Sequence, residues 1–163
     1  MPELSDGSHK RRWWMLAFWL VVVYAVSLAG SITVTSKIAT WYVGLNKPWF
    51  TPPDWVFAPV WTVLYAAMAL AVWRVGTPQT AAQLNAIILF IVQLVLNGIW
   101  SPAFFGLESP LLGLVVIVPL AFLIGKTVVA FWQIDRPAGM LLVPYLLWVV
   151  YATVLNAGIY ALN

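Results

Sequence analysis

Residues 82–107 read AQLNAIILFIVQLVLNGIWSPAFFGL, without a single Asp, Glu, Lys or Arg. The uncharged stretch already begins at Val75, but the polar turn Gly76-Thr77-Pro78-Gln79-Thr80 interrupts it, so a helix is predicted to start near Ala82. A helix needs about 20 apolar residues to cross the ~30 Å hydrocarbon layer of a bilayer. The run is continuously apolar and lacks period-2 alternation, which rules against a barrel strand. The same reading applies to the other uncharged stretches, 13–36, 55–73, 109–125 and 137–163. The chain is therefore predicted to be an all-α membrane protein. Its five transmembrane helices form a bundle, with spans at about 14–35, 57–75, 83–105, 110–132 and 138–160.

Composition agrees. Hydrophobic residues make up 63% of the 163 and charged residues only 8%, against about a quarter charged in soluble domains. So few charges cannot cover a surface that faces water. The net charge of +3 does not point to nucleic acid, because 8 basic residues spread over the spans form no stripe for a phosphate backbone. There is no cysteine, which excludes disulfides, thiolate metal sites and cysteine nucleophiles. The single histidine, His9, lies in a basic N-terminal tail, residues 1–12, with Lys10, Arg11 and Arg12. No metal site is expected within the membrane. The first apolar run is long enough to span and has no distinct small-residue cleavage site, so it reads as a retained helix rather than a signal peptide. An odd number of spans puts the termini on opposite sides. Lys10, Arg11, Arg12, Arg74 and Arg136 share the N-terminal side, with Lys37 and Lys47 opposite. The positive-inside rule then places the N-terminus in the cytoplasm of a bacterial cell. Lys126, within the fourth span, is expected to snorkel toward the N-terminal side.

The longest connection, 36–56, is too apolar for an ordinary solvated loop. It carries Trp41, Tyr42, Lys47, Pro48, Trp49, Phe50, Pro52, Pro53 and Trp55. Such a segment lies in the membrane interface or closes over the bundle mouth as a lid, and its prolines limit its freedom. Polar residues inside spans are costly unless paired or facing a cavity. In the third span Gln93, Asn97, Trp100, Ser101 and Phe104 recur at helical spacing on one face; Tyr145, Trp148, Ala152 and Asn156 do so in the fifth, and Trp61, Tyr65 and Met68 in the second. Trp61 lies about 6 Å below the loop end of its span, and Asn97 about 12 Å below the same side. If these faces converge they form an aromatic pocket with an amide in its wall, suited to a flat apolar ligand. The alternative is structural: Gln93, Asn97, Ser101 and Asn156 bond neighbouring helices for roughly 1 kcal/mol each. Tryptophans at span ends serve as interface anchors, and Pro102, Pro119 and Pro144 are tolerated kinks. No in-membrane carboxylate pair, Ser-His-Asp set or phosphate loop is present, so ordinary acid–base or nucleophilic catalysis is not expected.

Three blocks of residues carry a family resemblance. The first is Trp41-Tyr42, Leu45-Asn46-Lys47-Pro48-Trp49, Pro52-Pro53, Trp55-Val56-Phe57, Pro59-Val60-Trp61 and Leu64-Tyr65. The second is Gln93-Leu94, Asn97, Trp100-Ser101 and Phe104-Phe105. The third is Ala138-Gly139, Leu142, Pro144-Tyr145, Trp148 and Leu155-Asn156. In this order and spacing the chain resembles the TspO/translocator protein family, the tryptophan-rich sensory proteins or peripheral benzodiazepine receptors. The resemblance implies a five-helix domain over 13–163, a homodimer, and a ligand cavity closed by the first loop. It implies porphyrin-type small molecules as ligands, such as protoporphyrin IX or haem, with no required cofactor.

Carried over by motif, the ligand-binding residues are Tyr42 and Pro52 in the lid, Trp61 and Tyr65, Asn97, Trp100 and Ser101, and Trp148, Ala152 and Asn156. The family's link to light-dependent porphyrin breakdown would fall on Trp61 and Trp148. Export of porphyrin or another amphipathic solute is the other alternative. Sterol binding is not expected, because no basic residue follows Tyr151 or Tyr160 as the animal proteins' motif requires.

Overall fold

A computed structural model describes the backbone of residues 4–163 and the side chains of 13–31 and 37–163. Five helices follow one another: α1 Leu4–Ile38, α2 Phe57–Val75, α3 Ala81–Ser101, α4 Pro110–Ile134 and α5 Arg136–Leu162. All five are long and apolar enough to cross a membrane. Helices are the form that satisfies every backbone group within one segment where water is absent.

The ends are set by local chemistry. Gly76 at φ 78° stops α2 in a conformation that costs other residues. Thr80 accepts from the Gln83 amide to cap α3, Ser109 from Leu112 to cap α4, and Asp135 from Ala138 to cap α5. Pro110 opens α4, where a missing N–H costs nothing. Pro119 and Pro144 sit inside α4 and α5, which run on through them.

Two boundaries differ from the sequence reading. The first helix extends past the expected 14–35 in both directions, so backbone assigned to the 1–12 tail is helical from Leu4. The side chains of that tail, His9 and its basic neighbours included, lie outside the described residues. The third span ends in a short π segment, Pro102–Gly106, rather than as plain α-helix. Pro102, expected as a simple kink, starts it. Extra backbone of this kind is common beside functional sites.

The helices close a ring in the order α1, α2, α5, α4, α3, with each packed on its two neighbours. The ring encloses Met68, Phe90, Ile124, Phe131 and Tyr145, all fully buried. Val21, Val115, Phe122 and Leu147 point outward with most of their surface bare, as lipid-facing side chains do. An ion pair ties each end of the ring. Arg74 grips Asp135 through Nε at 3.2 Å and Nη2 at 3.0 Å, joining α2 to α5. Lys37 Nζ reaches Glu108 at 2.6 Å, joining α1 to the α3–α4 turn.

Candidate functional site

The connection between α1 and α2 docks on the end of α5. Tyr151 donates to the Phe50 carbonyl at 2.8 Å, and Asn163 exchanges hydrogen bonds with the backbone of Asn46. Pro48 lies so close to Gly158 that a Cβ there would sit 2.5 Å from its Cγ, so glycine is what admits the lid. Beneath it Tyr42 is buried against Phe104 and Phe105, with the Lys47 ammonium 4.6 Å over its ring. Burial, helped by the nearby Asp54 carboxylate and then Tyr151, pushes the Tyr42 hydroxyl up to about 12.

One buried chain of hydrogen bonds crosses the bundle. The Tyr65 hydroxyl donates to Asn97 Oδ1 at 2.6 Å, Asn97 Nδ2 donates to the Tyr145 hydroxyl at 3.1 Å, and that hydroxyl donates to Gln93 Oε1 at 2.8 Å. It knits α2, α3 and α5 together at one level. Trp61 stacks on Tyr65 at 5.4 Å and meets Tyr145 edge-on at 6.2 Å. Trp148 continues this layer, edge-on to Phe57 at 5.8 Å and tilted against Tyr151 at 5.5 Å. Tyr151 links it to the lid through Phe50.

The expected single ring of site residues resolves into two aromatic layers. Trp61, Tyr65 and Asn97 meet in the first, and Trp148 lies to its side against Phe57 and Tyr151. Tyr42, Trp100 and Asn156 belong to a second, with Trp100 stacked on Phe104 at 5.5 Å. There Trp100 Nε1 donates to Asn156 Oδ1 at 3.4 Å, and Asn156 Nδ2 donates to the Pro110 carbonyl at 2.8 Å. Gly113 keeps that seat open, since a Cβ there would fall 2.5 Å from Asn156 Oδ1. Ser101 faces α1 instead, in ordinary contact range of a Cβ on Gly30. Ala152 is buried in the core, and Pro52 is half-buried in the lid. Asn97 and Asn156 therefore spend their amides on neighbouring helices, the structural use that their spacing equally allowed.

Tyr145, on the same face of α5 as Trp148, takes the centre of the hydrogen-bonded chain, fully buried and bonded to both Asn97 and Gln93. Among the described residues two buried side-chain polar atoms have no partner, Gln93 Nε2 and Trp148 Nε1. Both are donors. No group of His, Asp or Glu able to hold a metal occurs among the described residues.

Known proteins share this plan. Residues 17–162 match the profile of the TspO/MBR family. The tryptophan-rich protein TspO of Chlorobaculum tepidum is 48% identical over 91% of this chain and 95% of its own length. Its counterpart in Archaeoglobus fulgidus is 39% identical over 88% and 94%. The human translocator protein is 38% identical over 78% of this chain and 77% of its own. A match across nearly all of the five spans, with relatives that align almost end to end, shows that this chain belongs to the TspO/MBR family of multi-pass membrane proteins.

Proposed function

We propose that the chain is a membrane receptor or sensor that binds porphyrins, such as protoporphyrin IX or haem, in the aromatic layer between α2, α5 and the lid, and takes part in tetrapyrrole regulation or transport. The observation that carries this reading is the Trp148 indole N–H, buried and unpartnered among the described residues. A buried donor without an acceptor costs about 1–3 kcal/mol. A carboxylate or carbonyl on a flat ligand relieves that cost, while Trp61, Tyr65 and Phe57 offer faces and edges for its ring. The positive-inside rule supports placing the end that holds Arg74 and Arg136 in the cytoplasm of a bacterial cell.

The test is titration of protoporphyrin IX into the purified protein in detergent, read by ligand absorbance and tryptophan quenching, with an isoquinoline carboxamide as competitor. Wild type binds saturably and is competed. Trp148→Phe weakens binding about five- to tenfold, the worth of one hydrogen bond. It leaves unfolding nearly unchanged, because the unpaired donor leaves with the ring. Binding that is non-saturable, or equal in Trp148→Phe, overturns the proposal.

A further inference from the structure

Away from the aromatic layers, the outer face of α4 carries a groove of about 490 Å³ lined by Ala121, Phe122, Gly125, Lys126, Val129 and Gln133. It opens toward lipid. Gly125 leaves its floor open, since a Cβ there would meet nothing within 4 Å. Lys126 is charged, exposed and inside a membrane span. Among the described residues it has no carboxylate partner, and its ammonium lies 5.4 Å over the ring of Phe122, one turn back along α4. It is thus turned away from the Gln133 end toward which it was expected to snorkel. A ring face compensates a desolvated cation only in part. Gln133, seven residues on and on the same face, likewise has no described partner. At the same end Asp135 is already committed to Arg74.

We propose that this groove is a binding site for an anionic phospholipid. One acyl chain lies along Phe122, Gly125 and Val129, and the headgroup phosphate takes Lys126 and the Gln133 amide. The occupant follows from charge complementarity. A lone cation and an amide donor at the rim of an apolar trough suit an amphiphile with an anionic, oxygen-rich head. The depth also fits. Lys126 is about 12 Å of helix rise from Ile134. A stem extended toward Gln133 carries the ammonium about one turn closer to the interface marked by Trp132. A second copy of the chain would have to bring an acid to mid-span, and the described spans carry Asp and Glu only at their ends.

Native mass spectrometry of the full chain in mixed micelles, with equimolar phosphatidylglycerol and phosphatidylcholine, tests the proposal. Wild type retains phosphatidylglycerol over phosphatidylcholine by roughly fivefold, the effect of one basic residue at a membrane surface. Lys126→Met brings the ratio to near parity, and Lys126→Arg keeps it. Gly125→Leu fills the trough with no clash inside the protein and lowers retention of the anionic lipid, so the test survives if Lys126→Met fails to fold. Millimolar inorganic phosphate does not displace the lipid. Equal retention of both lipids by wild type overturns the proposal, as does a preference unchanged in Lys126→Met and Gly125→Leu. Displacement by phosphate alone, or a shift in monomer–dimer ratio with lipid retention unaltered, also overturns it and assigns the groove to a free anion or to a second copy.

Discussion

Changing Tyr65 to Phe removes one oxygen and tests whether the buried chain holds the helices together. The Tyr65 hydroxyl donates to Asn97 Oδ1 at 2.6 Å, and both residues are buried. In a bilayer, side-chain hydrogen bonds between helices average about 0.6 kcal/mol and reach about 1.7. Leaving the Asn97 carbonyl buried without a donor adds desolvation, so Tyr65→Phe is expected to cost about 1–2 kcal/mol. Asn97→Leu loses the bond to Tyr145 as well and strands the Tyr65 hydroxyl, for roughly 2–4 kcal/mol. The double variant should cost less than the sum by about 1 kcal/mol, because the shared bond is lost once. Reversible unfolding in mixed dodecyl maltoside and dodecyl sulfate micelles, followed by circular dichroism, measures all three. A coupling below about 0.3 kcal/mol, the usual error of additivity, refutes the claim that this bond ties α2 to α3.

Three further outcomes follow from the ends of the bundle and the lid. Asp135→Ala removes both the cap of α5 and the forked pair with Arg74; it should cost about 1–2 kcal/mol in the same unfolding assay, and Arg74→Gln less than about 1, since that pair is partly exposed. Gly158→Val drives a side chain into Pro48; limited proteolysis should then cut within 46–56 faster than in wild type, with the helices intact. Burial raises the Tyr42 hydroxyl from the ordinary tyrosine value near 10 to about 12 in the folded state. The folded protein therefore holds that proton more tightly than the unfolded chain, so stability is full and flat below about 10, where both states are protonated, and should fall as pH rises toward 12. Tyr42→Phe should flatten that alkaline decline in a pH series of unfolding midpoints.

Charge located the helices because an unpaired charge in hydrocarbon costs several kcal/mol, so charged residues mark where the lipid ends. The boundaries of α2 and α4 follow this rule within a few residues. It failed at α1, which continues beyond the apolar stretch because helix formation does not stop where the lipid does and charge is free in water. The π segment at Pro102 was not legible either: a 3.6-residue period shows which side faces inward and is blind to one inserted residue. Periodicity placed Tyr65 and Asn97 on inward faces, where the structure joins them by a hydrogen bond. It could not say that Asn97 and Asn156 use their amides on helices, because partner choice depends on rotation and depth at the scale of an ångström. Trp148 and Trp100 have the same side chain, in different layers. What separates them is that Asn156 lies within reach of Trp100 Nε1 at 3.4 Å, whereas no acceptor among the described residues reaches Trp148.

If the aromatic layer is the porphyrin site proposed above, that difference sets what it selects. Asn97 Oδ1, the Tyr145 hydroxyl, Gln93 Oε1 and Asn156 Oδ1 all accept internal bonds. The unpartnered buried side-chain groups described, Gln93 Nε2 and Trp148 Nε1, are donors. Gln93 is 1% exposed in the bundle interior, whereas Trp148 is half-buried beside Phe57 and Tyr151, which lead to the lid. On the proposed reading, the layer rewards a ligand that brings an acceptor to Trp148, because a site built around a hydrogen-bonding group discriminates against ligands that lack it. A porphyrin whose propionates are replaced by alkyl groups keeps the stacking surface and loses the acceptor. It should bind wild type about five- to tenfold more weakly than protoporphyrin IX, in competition titrations, and the two should bind Trp148→Phe alike. Equal loss for both porphyrins in that variant would mean that Trp148 contributes only its ring, and that the acceptor on the ligand is read elsewhere.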